Sequence, residues 1–180
     1  MTRPPWEWLA GAVDDSFTAC VAVQRAALEQ QPVPAAVVGS SWGGAVAAAL
    51  LAQGVWAGPT VMLCPALRLK DRWGRLSASH LSAEAVTAGL AALPPSVKRH
   101  CLLVHGTADT VVPLADSAAL SAATGIELVR IEGGSHGLGS IIRDGRLRCL
   151  IDRAVGVVSG GGRRGTRRPE NEGAEALAGE

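Results

Sequence analysis

Three short stretches of this 180-residue sequence carry side chains able to attack a carbonyl and move protons. In VVGSSWGG, Gly39, Ser41 and Gly43 satisfy G-x-S-x-G, with Ser40 as an intervening residue. An apolar run precedes the pattern and a run rich in Ala and Leu follows it. That is the setting of a tight strand-to-helix turn, which holds a serine hydroxyl above the carboxyl end of a strand and needs small flanking residues. Ser41 is therefore a candidate nucleophile at the positive end of a helix, and the backbone N–H of Trp42 is a candidate oxyanion donor. Further on, LLVHGTADTVVP places Asp109 four residues past the expected end of a strand, and IEGGSHGLGS places His136 in a glycine-rich loop after another.

Each of these residues has a plainer reading. A Gly- and Ala-rich chain matches G-x-S-x-G by chance, Asp109 could cap a turn before Val111 to Pro113, and His136 could be a solvated loop histidine. What favours a site is the combination, in the order Ser, Asp, His, with both partners on loops at strand carboxyl ends where parallel sheets place their ligands. The glycines do not form G-x-G-x-x-G, and no Lys follows them as a phosphate-binding loop requires. His105 reads as structural, and Asp116, in the following helix, is a second possible acid. His80 and His100 have no evident partner. Cys20, Cys64, Cys101 and Cys149 lie far apart without metal-ligand spacing, so Cys64 and Cys101 read as small buried hydrophobes and neither metal nor cofactor is expected.

The elements that must position these residues follow from periodicity. Residues 16–31 carry apolar side chains at helical spacing, and Pro32 and Pro34 end them. A short unalternating apolar run at 35–39 predicts a strand buried on both faces, 60–64 reads as a second buried strand, and 98–105 and 127–131 read as a third and a fourth. Helices are predicted between them over 43–53, 82–93 and 114–124, and a last one over about 141–158. Alternating strands and helices predict an α/β fold, three-layer α/β/α, with a mostly parallel sheet of about four strands. Residues 1–158 make one domain. From residue 159 the chain becomes a tail rich in Gly, Arg and Glu that cannot bury enough apolar surface to order itself.

Composition narrows the classes. The chain is 48% hydrophobic and only 3% aromatic, which is enough for a core built from Ala, Val, Leu and Ile. A formal charge of +1 argues against nucleic acid as a partner. No run is long and apolar enough to suggest a membrane span or a secretory leader, which leads to an expected cytoplasmic location.

On VVGSSWGG, HGTADTVVP and GGSHGL the chain resembles the α/β-hydrolase family, particularly its small, nearly capless esterase and dienelactone-hydrolase members, over about residues 16–158. The resemblance implies a partial α/β-hydrolase fold and a serine hydrolase cleaving a carboxylic ester, thioester or related acyl bond of a small-molecule substrate. Ser41, His136 and Asp109 would be nucleophile, proton carrier and orienting acid. The family also has strands before the elbow strand and an HG-type turn that gives a second oxyanion donor. Only about 33 residues precede the elbow strand here, without an HG, so the sequence reads as N-terminally truncated. Strand 35–39 would then be an apolar sheet edge open to self-association. The alternative reading is a catalytically silent hydrolase-fold fragment or interaction protein. Arg68, Lys70, Arg72, Trp73 and Arg75 could meet an anionic acyl group or form a solvated basic face, and Trp42 could wall an acyl pocket or pack under the elbow.

Overall fold

A computed structural model describes residues 5–30, 32–68 and 81–156. In chain order the elements are α1 (Pro5–Leu28), β1 (Val37–Ser40), α2 (Trp42–Ala52), β2 (Thr60–Leu63), α3 (Ala83–Ala91), α4 (Pro95–Lys98), β3 (Cys101–Gly106), α5 (Leu114–Thr124), β4 (Glu127–Ile131), α6 (Gly139–Arg143) and α7 (Arg146–Val155). The four strands form one parallel sheet in the order β1-β2-β3-β4. Strictly sequential order with right-handed crossovers sends every connecting helix to the same face. Accordingly, side chains of α1, α2, α3 and α5 share one core with Met62, Cys101 and Leu103. The opposite face, with Val61, Leu63, Leu102 and Val104, is closed by α6 and α7, which follow the last strand and pack Ile141 and Ala154 there. The three-layer α/β/α arrangement expected from the sequence is thus present. Among the described residues no helix is long and apolar enough to cross a membrane.

Several boundaries differ from the sequence reading, each for a local reason. The expected strand 98–105 begins only at Cys101, because Pro95 occupies the first position of a helical turn that runs to Lys98. The expected strand 60–64 ends at Leu63, because Cys64 turns into the left-handed region at φ 44°. The single last helix is two, broken where Gly145 adopts φ 82°. The tail from residue 159, His80 and the basic residues after Arg68 lie outside the described residues.

Alanine-rich packing lets α2 lie close against the sheet. Residues 44–51 are all buried, and the tightest approach is at Gly39, where a Cβ would stand 2.3 Å from the Gly43 carbonyl oxygen. A Cβ on Gly44 would meet Pro65 at 3.1 Å, whereas one on Gly43 would meet nothing within 4 Å. The expected need for small residues around Ser41 is therefore felt at Gly39 and Gly44 and not at Gly43. Gly39→Ala is expected to destabilise the fold by about 1–3 kcal/mol through overpacking. Gly43→Ala, inside a helix with open space around it, is expected to be neutral or to stabilise by up to about 1 kcal/mol. Denaturant midpoints of the two variants check the pair.

Candidate active site

Ser41 occupies the turn between β1 and α2 with φ 53° and ψ −112°, a conformation costly for a residue with a Cβ. Its own backbone holds it there. The Ser41 N–H donates to the Leu63 carbonyl of β2 at 2.8 Å, and its carbonyl accepts from Ala45 N–H at 3.1 Å and Ala66 N–H at 3.0 Å. Trp42 begins α2, so its N–H has no acceptor within the helix. Its indole packs edge-on against Phe17 of α1, with ring centroids 5.2 Å apart. That contact gives the ring a packing role beside the elbow, and the same ring also lines a groove along β1.

The loops after β3 and β4 meet backbone to backbone. A Cβ on Gly106 would lie 2.1 Å from the Gly134 carbonyl oxygen, so only glycine fits. Above this contact Thr107 N–H bonds the Ile131 carbonyl at 3.0 Å, and Ala108 N–H bonds the Gly134 carbonyl at 2.9 Å. Gly133, at φ 64°, donates its N–H to Thr107 Oγ1 at 2.9 Å. The two loops are stitched together with Asp109 on one and His136 on the other.

Across them runs a chain of hydrogen bonds. His136 Nδ1 lies 2.8 Å from Asp109 Oδ2, and His136 Nε2 lies 2.9 Å from Ser41 Oγ. A carboxylate only accepts, so Nδ1 carries the proton and Nε2 is left to accept from the serine hydroxyl. Asp109 is fully enclosed, whereas His136 keeps 23% of its side chain exposed. Burial alone would push the Asp109 carboxyl upward, but hydrogen bonds from His136, the N–H groups of Val111 and Val112, and the Cys64 thiol outweigh it and hold the group below the ordinary carboxylate range. Val111 and Val112 donate to Oδ1 at 2.8 and 3.0 Å, so the turn-capping role and the histidine contact coexist in one residue.

The other candidates fall elsewhere. Asp116 lies in the first turn of α5, on a shallow groove with Arg68, Glu84 and Thr87. His100 places Nδ1 2.7 Å from the Ala154 carbonyl at the end of α7. Cys64 and Cys101 are buried as expected, with thiols pushed up by burial to about 12 and about 11. The contact of Cys64 with Asp109 had no signal in the sequence, because it depends on the left-handed turn at the end of β2.

No family model matches the sequence, and no curated protein matches it. Among solved structures the chain is similar to a protein described as a CIB-like hydrolase from Thermoplasma acidophilum, with TM-score 0.56, 18% identity and coverage of 78% of this chain and 60% of that one. It is also similar to a thermophilic esterase from Thermogutta terrifontis, with TM-score 0.55, 22% identity and coverage of 86% and 67%. A third is a hydrolase of the α/β superfamily from Xanthomonas campestris, with TM-score 0.51, 21% identity and coverage of 81% and 68%. At these identities the likeness is one of fold, and the chain has a partial α/β-hydrolase fold. It spans 60% of the length of the Thermoplasma protein.

The depressed Asp109 carboxyl makes a stability prediction. A carboxylate held low in the folded chain contributes stability above its unfolded value near about 4, and that contribution is lost as pH falls through the folded value. Asp109→Asn is therefore expected to lower the melting temperature at pH 7, with the gap to wild type narrowing as the buffer is taken below about pH 4. Thermal unfolding of both proteins across that range checks it.

Proposed function

We propose that the chain is a serine hydrolase that cleaves a carboxylic ester, thioester or related acyl bond through an acyl-enzyme on Ser41. The observation that carries this reading is the His136 ring bridging Ser41 Oγ and Asp109 Oδ2 at 2.9 and 2.8 Å. Ser41 Oγ attacks the substrate carbonyl carbon as its proton passes to His136 Nε2. The oxyanion that forms faces the Trp42 N–H at the start of α2. Collapse breaks the bond to the leaving alcohol or thiol, which takes the proton back from His136, and the acyl group stays on Ser41. Water then attacks the acyl-enzyme with His136 again as base, releasing the acid and restoring the serine. Asp109 stays ionised throughout and holds Nδ1–H in place while the imidazolium forms.

The fold likeness to an esterase solved with butyrate bound makes short-chain carboxylic esters the first substrates to assay. A fluorophosphonate probe should label wild type and leave Ser41→Ala unlabelled. His136→Gln and Asp109→Asn should slow labelling on the order of a thousandfold or more. Folded wild type that never labels would reject the reading.

A second reading, an interaction module, is favoured by the position of β1 at the edge of the sheet among the described residues. In the parallel register Val37 and Ser41 direct their N–H groups to Pro59 and Leu63, which turns the backbone groups of Val38 and Ser40 away from β2. Val38 is 42% exposed, and beside it a groove of about 310 Å³ is lined by Leu28, Trp42, Val46 and Leu50. Self-association that rises with concentration and is weakened by Val38→Lys would support this reading. A monodisperse monomer at high concentration in sedimentation would count against it.

A further inference from the structure

The acid of the site is gripped from a direction the serine mechanism does not use. Besides His136 and the two turn N–H groups, the Asp109 carboxylate meets two side chains that are themselves fully buried, His105 and Cys64. His105 Nε2 lies 3.2 Å from Asp109 Oδ2, the oxygen that also faces His136, and 3.0 Å from the Val112 carbonyl. The Cys64 thiol lies within 4.8 Å of the same carboxylate. The carbonyl and the carboxylate oxygen can only accept, so His105 Nε2 bears a hydrogen, donated to Val112 with Asp109 Oδ2 beside it. In the neutral ring Nδ1 is then an acceptor, and 2.7 Å away stands the hydroxyl of Ser117 on α5, itself buried.

These contacts form a closed loop. Val112 donates its N–H to Asp109 Oδ1, while its carbonyl accepts from the Nε2–H of His105, whose nitrogen also borders Oδ2. Rotating the carboxylate would take Oδ2 from His136 and His105 together. Tilting the His105 ring would break its bonds to Ser117 and Val112. We propose that His105, its ring fixed by Ser117, is a positioning residue that locks the Asp109 carboxylate in the one orientation that serves His136, with the Cys64 thiol closing the remaining side. This inference rests on the acyl-enzyme reading for its kinetic meaning, because positioning the acid matters only if His136 must hold a fixed ring orientation. Misplacement of a catalytic group by about 1 Å costs on the order of a hundredfold in rate, so small rotations matter.

The test compares His105→Phe, which keeps a flat ring and removes both nitrogens, with His105→Gln, whose amide N–H reaches toward the position of Nε2. Two readouts are used on protein shown to be folded by circular dichroism. One is the rate of fluorophosphonate labelling of Ser41. The other is the downfield proton resonance of His136 Nδ1–H, assigned by its loss in His136→Gln, which reports geometry whether or not the serine reacts. His105→Phe is expected to slow labelling on the order of tenfold to a hundredfold and to broaden or shift the resonance. His105→Gln is expected to restore most of both. If His105→Phe does not fold, Ser117→Ala removes only the hydroxyl that holds the ring and should move both readouts in the same direction by less. A folded His105→Phe or Ser117→Ala protein with unchanged rate and resonance overturns the proposal, and so does a loss that His105→Gln leaves uncorrected. Wild type that shows the resonance but never labels rejects the acyl-enzyme reading alone, and the resonance then decides the positioning role.

Discussion

The carbonyl oxygen of Gly134 stands where the side chain of any other residue at position 106 would have to begin. That approach of two backbones joins the loop after β3 to the loop after β4, and the site depends on it. With the loops in contact, the N–H groups of Thr107 and Ala108 find acceptors in Ile131 and Gly134, and the separation of Asp109 from His136 is fixed by main chain. The hydrogen bond between the two side chains then needs little rearrangement to form. A Cβ at residue 106 would push the loops apart by about 1 Å, enough to break a 2.8 Å contact.

Ser41 presents the complementary problem, a residue with a side chain kept at positive φ. Such a conformation costs on the order of 1–3 kcal/mol. Three backbone hydrogen bonds, to Leu63 and from Ala45 and Ala66, hold the residue from the neighbouring strand, from α2 and from the chain beyond β2. At roughly 0.5–1.5 kcal/mol each they offset that cost and leave the turn with no easier conformation to relax into. The placement of the hydroxyl is therefore a product of the β1–β2 pairing as much as of the glycines that flank it.

Much of this was legible in the sequence, and what was not has identifiable causes. Ser41, Asp109 and His136 could be picked out because each stands next to glycines or turn residues that end a strand, which is a local signal. The four strands were visible as apolar runs, yet β3 started late because Pro95 initiates a helical turn, a choice a run of hydrophobicity does not register. The motif suggested equal crowding at Gly39 and Gly43, but crowding depends on which side of the helix faces the sheet, and that side carries Gly44. The contacts of Cys64 and Ser117 with the acid and its neighbour were hidden altogether. They join residues on different elements through a left-handed turn and a buried imidazole, and neither has a spacing that could announce it.

Because the sheet is wound in strict order, the described helices up to β4 pack on one face, and α6 and α7, reached through the loop that carries His136, pack on the other. During synthesis the serine and the aspartate are made before α6 and α7, which among the described residues cover Val61, Leu63, Leu102 and Val104. The histidine comes off just ahead of those two helices. The residue that completes the hydrogen-bonded chain and the helices that bury the second face therefore follow one another directly in the sequence. A chain ending at β4 would hold Ser41 and Asp109 without His136, beside the apolar face that α6 and α7 later cover.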